Sequence, residues 1–265
     1  MKIWLVDAFT NKAFKGNPAG IFLVEQFPDA TTMQTVAAEM NWSETAFVTQ
    51  KAEHHFHIRW FSPKDEAPLC GHATLAAAHI LWQQGRVQAD FITFDSLGGL
   101  LTAERHADGW IYLNFPSRKI ESCPLPDLLY EALGELTVQS VYKDDLLYVV
   151  VLREMQDVVD LKPNLSLIEQ IDCRAVAVTA FAEKPYDFTS RYFAPKVGIP
   201  EDPVCGSAHC RLTPFWAERL NKNSLLAYQA SPRGGVLKLN LMGDRVLIGG
   251  QATTVCQGEL LVKIS

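Results

Sequence analysis

The stretch RWFSPKDEAPLCGHATLAAAH, residues 59–79, joins an alternating apolar segment to a turn and then to a helix-like segment that opens with Cys-Gly-His. Apolar residues occupy nearly every face of this predicted helix, and Gly85 predicts its end. A helix that is apolar all round is normally buried on all sides. We therefore expect it at the centre of a domain, with Cys-Gly-His (70–72) at its N-terminus.

A second version of this stretch, RYFAPKVGIPEDPVCGSAHC, occupies residues 191–210. The Phe-x-Pro-Lys block recurs at an offset of 132 positions (193 minus 61), and Cys-Gly recurs at 135 (205 minus 70), so the second copy carries a three-residue insertion. The offset is about half of the 265-residue chain. A duplication with two similar halves explains it best.

The rest of the chain mixes strand-like and helix-like segments without strict βαβα alternation, which favours an α+β fold over a doubly wound parallel sheet. The proline-rich segment 115–127 has no periodicity and predicts a boundary. We expect one half over 1–116 and the other over 117–265, and we allow for the terminal strand crossing back to the first half.

Composition and charge exclude several classes of protein. The chain is 48% hydrophobic and 20% charged, which is typical of a globular protein. A net charge of -6 without a basic run argues against nucleic acid as a partner. No segment approaches the roughly 18 apolar residues of a membrane span, and the start lacks the apolar run of a signal peptide. We expect a cytoplasmic protein with no membrane partner.

The six cysteines include no Cys-x-x-Cys pair. Without an export signal, reduced thiols are favoured over disulfides, and a structural zinc site is not expected. Cys205, His209 and Cys210 bring two thiols and an imidazole together, but their spacing fits no standard metal site. We predict no metal.

Two related halves usually enclose a cleft, and each half is expected to present one Cys-Gly helix start to it. Helix N-termini carry free N–H groups and a positive dipole end, so two of them suit a carboxylate. Glycine at Gly71 and Gly206 lets a ligand approach the backbone closely. The sequence thus predicts a small carboxylated substrate. Pro214 lies inside the second helix pattern, and we expect it to kink or shorten that helix.

The motifs in order are DAFT (7–10), GNPAG (16–20), SETAFV (43–48), FSPKDEAPLCGHAT (61–74) and EDPVCGSA (201–208). As a set they resemble the PhzF family of phenazine biosynthesis-like proteins, within the diaminopimelate epimerase-like fold. The resemblance covers the whole chain. It implies two pseudo-symmetric domains, each with a β-sheet curled around a central helix, and a homodimeric, cofactor-independent isomerase.

The resemblance also implies roles for individual residues. Glu44 of the Ser-Glu-Thr motif would shuttle a proton, assisted by His72 and Asp202. A carboxyl group held between apolar segments suits this work, because burial raises its pKa and lets one group act as base and then as acid. The expected substrate contacts are Asn17, Gly71, Gly206 and Ser207.

Two other readings stay open. Related epimerases and racemases use two cysteines at the Cys-Gly positions, and this chain has both Cys70 and Cys205. Thiolates at helix N-termini have lowered pKa values, so a two-cysteine amino- or hydroxy-acid racemase is possible. His72, where those epimerases carry asparagine, and Glu44 argue for the PhzF reading instead. The third reading is a non-catalytic protein that binds a metabolite.

Overall fold

The computed structural model describes residues 1–134 and 136–262. The chain divides into two compact units: unit 1 holds Met1–Phe115 and the residues from Leu247 onward, and unit 2 holds Pro116–Val246. Within the described ranges, no helix is both long and apolar enough to cross a membrane.

The described part of unit 1 combines two helices with strands of a large mixed sheet. The helices are α1 (Ala30–Met40) and α2 (Gly71–Gln83). The strands are β1 (Lys2–Ala8), β2 (Asn17–Leu23), β3 (Glu44–Ala52), β4 (His55–Phe61), β5 (Glu66–Ala67), β6 (Phe91–Ser96), β7 (Gly99–Arg105), β8 (Ile111–Pro116) and, at the end of the chain, β17 (Ala252–Glu259).

The described part of unit 2 combines four helices with a further set of strands. The helices are α3 (Asp127–Leu133), α4 (Met155–Asp160), α5 (Leu165–Gln170) and α6 (Gly206–Leu220), with a short 3-10 helix at Pro195–Val197. The strands are β9 (Glu121–Ser122), β10 (Val138–Lys143), β11 (Leu147–Leu152), β12 (Ala175–Phe181), β13 (Phe188–Phe193), β14 (Ser224–Gln229) and β15 (Gly235–Met242); β16 (Arg245–Gly250) spans the boundary.

The strands of the two units repeat one pattern of strand directions. In unit 1, β1–β2, β3–β4 and β6–β7 pair antiparallel, while β2–β3 and β4–β6 pair parallel. In unit 2, β10–β11, β12–β13 and β14–β15 pair antiparallel, while β11–β12 and β13–β14 pair parallel. Each parallel pair is joined through helices, as parallel strands require. The two copies of the sequence repeat therefore lie on equivalent strands of the two units.

Helix α2 is the buried centre of unit 1. It contacts β1, β2, β3, β7 and β17, so the sheet curls around it. Leu75, Ile80 and Leu81 are essentially inaccessible, and each contributes about 1.5–3 kcal/mol by leaving water. Gly85, with a φ of 66°, follows the last turn. The sequence-based prediction of a central helix is confirmed.

The opposite face of the unit 1 sheet is covered by α1. Met33, Val36 and Ala37 pack there against apolar side chains of β1 to β4. Asn41 ends this helix in the left-handed conformation, φ 51°, which asparagine tolerates better than most residues.

Helix α6 packs on one face of the unit 2 sheet, with α3, α4 and α5 forming an apolar cluster over β10 to β13. Pro214 does not end α6, which continues to Leu220. Pro214 removes the N–H that would bond to the carbonyl of Cys210, four residues earlier. That carbonyl instead accepts from the backbone N–H of Arg118 at 2.8 Å. The expectation that Pro214 shortens the helix is therefore wrong.

Candidate functional site

The glycines of the GNPAG motif fix the turn that leads into β2. Gly16 has a φ of 63°, and a Cβ there would lie 2.1 Å from the carbonyl oxygen of Ala8. A Cβ on Gly20 would lie 2.3 Å from the indole ring of Trp42. Only glycine allows both approaches. Gly20 thereby seats Trp42 directly on the strand, two residues before Glu44.

Glu44 and Asn17 begin neighbouring parallel strands. Ala19 of β2 is in register with Glu44, the first residue of β3, so both strands start at one end of the sheet. Between them, Ser43 donates to the carbonyl of Pro18 at 2.7 Å, and its Oγ lies 2.9 Å from Oδ1 of Asn17. Asn17 is fully buried and Glu44 is half-buried. The structure thus brings these two predicted site residues to the same edge.

The loop before α2 is held by an ion pair between the repeated arginine and a glutamate. Arg59 donates Nε and Nη2 to the two carboxylate oxygens of Glu66, each at 2.7 Å. This two-point geometry fixes the loop more firmly than a single contact would. The sequence reasoning singled out neither residue, although both recur in the second copy.

The first turn of α2 carries Cys70, Gly71 and His72. Nδ1 of His72 lies 3.4 Å from Sγ of Cys70, while Thr74 donates its hydroxyl to the carbonyl of Cys70. The N-cap of this helix is Cys70, whose side chain makes no capping hydrogen bond, and the first turn has no acidic residue. The positive end of the helix dipole is therefore not neutralised by the helix itself.

His72 is buried, with 8% of its surface exposed. Burial lowers its pKa to about 3, so the imidazole is neutral near pH 7. Its Nε2 is inaccessible to water, and no hydrogen-bond partner for it exists among the described residues. A buried polar nitrogen without a hydrogen-bond partner is costly and uncommon in folded proteins.

Unit 2 contains an equivalent ion pair, in which the arginine is more buried. Arg191 donates to both oxygens of Glu201 at 2.7 and 2.9 Å, and its Nη1 also donates to the carbonyl of Leu161 at 2.5 Å. The three-residue insertion lies between the two partners: they are ten residues apart here (201 minus 191) and seven apart in unit 1 (66 minus 59). The ion pair is preserved across the insertion.

Asp202 follows this pair directly. Its backbone N–H donates to the carbonyl of Tyr192 at 2.9 Å, and its Oδ1 accepts from the N–H of Val204 at 3.1 Å. Half-buried Asp202 therefore has a defined place in a tight turn. Gln229 and Ser231, which no motif indicated, also bond to the backbone of this turn.

Cys205, Gly206 and Ser207 form the first turn of α6. Cys205 and Gly206 are buried and Ser207 is exposed, with Oγ 3.2 Å from Sγ of Cys205. Burial, together with the negative charge of Asp202, raises the pKa of the Cys205 thiol. Cys205 is thus held as a neutral thiol, which disfavours a thiolate base at this position.

The residues considered for a metal have partners within the protein. Nδ1 of His209 lies 2.8 Å from the carbonyl oxygen of Cys205, and Nε2 lies 3.5 Å from Oγ of Ser190. Sγ of Cys210 lies 3.7 Å from the carbonyl oxygen of Gly206. Among residues 1–134 and 136–262, no group of three or more His, Cys, Asp or Glu is placed to hold a metal ion.

The predicted site residues are therefore divided between the units. Unit 1 contains one set, and unit 2 contains the other. The unit 1 set is Asn17, Glu44, Cys70, Gly71 and His72. The unit 2 set is Asp202, Cys205, Gly206 and Ser207.

Comparison with known proteins agrees with the motifs. The sequence model of the phenazine biosynthesis-like (PhzC-PhzF) protein family matches residues 6–258. A Halalkalibacterium halodurans protein named as an uncharacterized isomerase is 48% identical over 98% of both chains. The crystal structure of a PhzF-family phenazine biosynthesis protein from Enterococcus faecalis is 39% identical, with a TM-score of 0.94 over 98% of this chain and 99% of that one.

A hydroxyproline epimerase of Agrobacterium vitis is only 11% identical, yet its TM-score is 0.63 over 97% of this chain and 91% of that one. That likeness concerns the fold alone, and it agrees with the α+β, diaminopimelate epimerase-like architecture built from two similar units. With a family match over nearly the whole chain and close relatives named as isomerases, the protein belongs to the phenazine biosynthesis-like PhzF family and is an isomerase of that type.

Proposed function

We propose that the protein moves a proton on a small carboxylated, cyclic metabolite without a cofactor. Glu44 takes the proton from one carbon as a base and returns it to another carbon as an acid. The proton balance closes on this one carboxyl group, so no external acid is needed. His72 and Asp202 assist by binding the substrate and stabilising the charge that develops on it.

The observation that carries the proposal is the state of His72. A neutral, buried imidazole has one ring nitrogen beside Cys70, and the other meets no partner among the described residues. A polar group of the substrate at Nε2 would remove a cost of about 1–3 kcal/mol. Because the ring is neutral, it can donate or accept a hydrogen bond without carrying a charge into the site.

The two helix starts support a carboxylated substrate. Neither Cys70 nor Cys205 supplies a side-chain cap, and neither helix has an acidic residue in its first turn. The first N–H groups of a helix bind anions well when no side chain occupies them. Gly71 and Gly206 keep side-chain bulk away from these groups, and Asn17 and Ser207 add polar contacts for the rest of the substrate.

Incubation with carboxylated cyclic metabolites in heavy water tests the proposal. The wild-type protein is expected to incorporate deuterium into one of them, detected by mass spectrometry. Glu44→Gln keeps the shape of the side chain but removes its basicity, so we expect exchange to fall by roughly 10²–10⁴-fold. Glu53→Gln, at an exposed position just past the other end of β3, is the matched control and should keep full activity.

Full exchange in Glu44→Gln would overturn the proposed base. Exchange at the Cα of an amino or hydroxy acid, lost in both Cys70→Ala and Cys205→Ala, would support the two-cysteine racemase instead. Tight binding of a metabolite with neither exchange nor an isomerised product would support the non-catalytic reading. A homodimer and a cytoplasmic location stay predictions.

A further inference from the structure

We propose that Gln229 and Ser231 are positioning residues that aim Asp202 in this reaction. They bond to backbone atoms of the turn 202–205. The inference rests on the proposed function, in which Asp202 contacts the substrate. It adds two residues that belong to none of the motifs of the sequence.

Gln229 bridges the turn with both ends of one amide group. Its Nε2 donates to the carbonyl oxygen of Asp202 at 2.7 Å, and its Oε1 accepts from the N–H of Cys205 at 2.9 Å. The side chain is fully buried at the last position of β14. One planar amide thus fixes the distance between a carbonyl and an N–H three residues apart, and it does so from the rigid sheet.

Ser231 holds the residue between those two contacts. Its hydroxyl donates to the carbonyl of Pro203 at 2.8 Å and accepts from the N–H of Gly234 at 3.0 Å. Gly234 has a φ of 67°, and a Cβ there would lie 2.4 Å from the hydroxyl oxygen of Tyr228. The turn after β14 therefore has one tight conformation, and that conformation points the Ser231 hydroxyl at Pro203.

Unit 1 provides a comparison, because its position equivalent to Asp202 is not an aspartate. Its equivalent turn, between β6 and β7, lies so close to the carbonyl of Pro68 that a Cβ on Gly98 would be 2.6 Å from that oxygen. The hydroxyl of Ser96 donates to Gly99 within its own turn at 2.7 Å. By the offset of 135, Ala67 stands where unit 2 has Asp202 (202 minus 67).

Loss of the Gln229 and Ser231 contacts is expected to affect catalysis through the backbone that holds Asp202. The contacts of Gln229 and Ser231 reach Asp202, Pro203 and Cys205, so losing them frees the turn on both sides of the carboxylate. A displacement of about 1 Å in a site can reduce turnover by about 100-fold even when no reacting group is removed.

The first test measures the turn itself and needs no substrate. In Gln229→Met, which keeps the length of the side chain but neither hydrogen bond, the amide of Cys205 should exchange with heavy water at least about tenfold faster than in the wild type. Ser231→Ala is the milder variant. Ser96→Ala removes a turn hydroxyl of unit 1 and is the matched control, with no change expected at Cys205.

The second test is a double-mutant cycle on deuterium incorporation into the metabolite that the heavy-water screen identifies. Gln229→Met should lower kcat by roughly 10- to 100-fold in the wild-type background but by less than about twofold in Asp202→Asn, because its effect acts through that carboxylate. If Gln229→Met does not fold, Ser231→Ala should show the same loss of effect in the Asp202→Asn background. Thermal unfolding identifies the folded variants.

The outcomes separate the two proposals. Full activity in Asp202→Asn would show that the proposed role of Asp202 is wrong. An impaired Asp202→Asn together with unchanged kcat in Gln229→Met and Ser231→Ala would overturn only the positioning inference. An equal loss from Gln229→Met in both backgrounds would also overturn it, since the effect would then not act through Asp202.

Discussion

The two Cys-Gly helix starts share a scaffold and differ in their chemistry. Each has a two-point arginine–glutamate pair in front of it, and each has a thiol beside the side chain two residues later. In each, the side chain four residues after the cysteine bonds to the cysteine carbonyl, through Thr74 in unit 1 and His209 in unit 2.

The two units differ at the residues that are proposed to take part in the reaction. Unit 1 has Glu44 at the start of β3, while the matching strand of unit 2 starts with Ala175. Unit 1 has His72 where unit 2 has Ser207, and unit 2 alone has Asp202. Both units keep the parts that build the helix start, while the residues proposed to act differ: Glu44 and His72 lie in unit 1 and Asp202 lies in unit 2.

Making unit 1 resemble unit 2 at one residue is expected to have the largest effect. In His72→Ser, deuterium incorporation should fall by roughly 10²–10³-fold, the range expected when one hydrogen bond to a developing charge is removed. His106→Ser, at an exposed position, is the control and should keep full activity. An active His72→Ser protein would show that the difference between the helix starts is not catalytic.

The two ion pairs should differ in their contribution to stability. The side chain of Arg191 is 9% exposed and that of Arg59 is 21% exposed. Arg191→Met leaves Glu201 and the Leu161 carbonyl without their donor, and we expect it to lower the free energy of unfolding by about 3–5 kcal/mol. Arg59→Met should cost less, about 1–2 kcal/mol, because water can reach Glu66. Urea unfolding of both variants measures the difference, and equal losses would contradict it.

Acid should destabilise both helix starts through their histidines. Burial lowers the pKa of His72 to about 3 and that of His209 to about 4, from an ordinary value of 6.5. Below about pH 6.5 these histidines bind protons in the unfolded chain but not in the folded chain. Stability is therefore complete above about pH 6.5 and falls as the pH drops towards the folded pKa values. Urea midpoints measured from pH 7.5 to 4.5 should decline.

The same titration tests whether the histidine of each unit contributes to the decline. Both folded pKa values lie below pH 4.5, so removing either histidine should flatten the decline by a similar amount over this range. His72→Ser and His209→Gln are the variants to compare. A decline that is unchanged in both would show that other groups cause it.

The smallest effect is expected from Pro214 in α6, for which α2 has no counterpart. A proline inside a helix ordinarily costs about 3 kcal/mol. Here the carbonyl that it leaves is already bonded to the N–H of Arg118, so Pro214→Ala should change the free energy of unfolding by less than about 1 kcal/mol. A stabilisation near 3 kcal/mol in thermal unfolding would show that the Arg118 contact contributes little.

Local patterns in the sequence predicted much of this architecture. The apolar helix after His72 and its end near Gly85 follow from periodicity and turn chemistry. The repeat predicted two similar units because both copies keep residues that build the same local structure.

What the sequence did not predict depends on contacts between distant segments. Gln229 lies 27 residues after Asp202 and belongs to no motif, so only the register of β14 shows that it meets the turn. The bond from Arg118 to Cys210 likewise joins segments 92 residues apart (210 minus 118). The neutral state of His72 follows from its burial, which a motif does not reveal. The paired Arg59 and Glu66 were predictable, since both recur across the insertion.

The pairing of the last strand with the first has a consequence for how the protein is made. Lys2 of β1 is in register with Glu259 of β17, and the N-terminal ammonium donates to the carbonyl of Leu260 at 2.9 Å. A chain that leaves the ribosome amino end first exposes an open edge of β1 until Ala252–Glu259 has been synthesised. Unit 2 can finish folding while unit 1 still lacks its closing strand, so a chain that stopped before Ala252 would leave that edge uncovered.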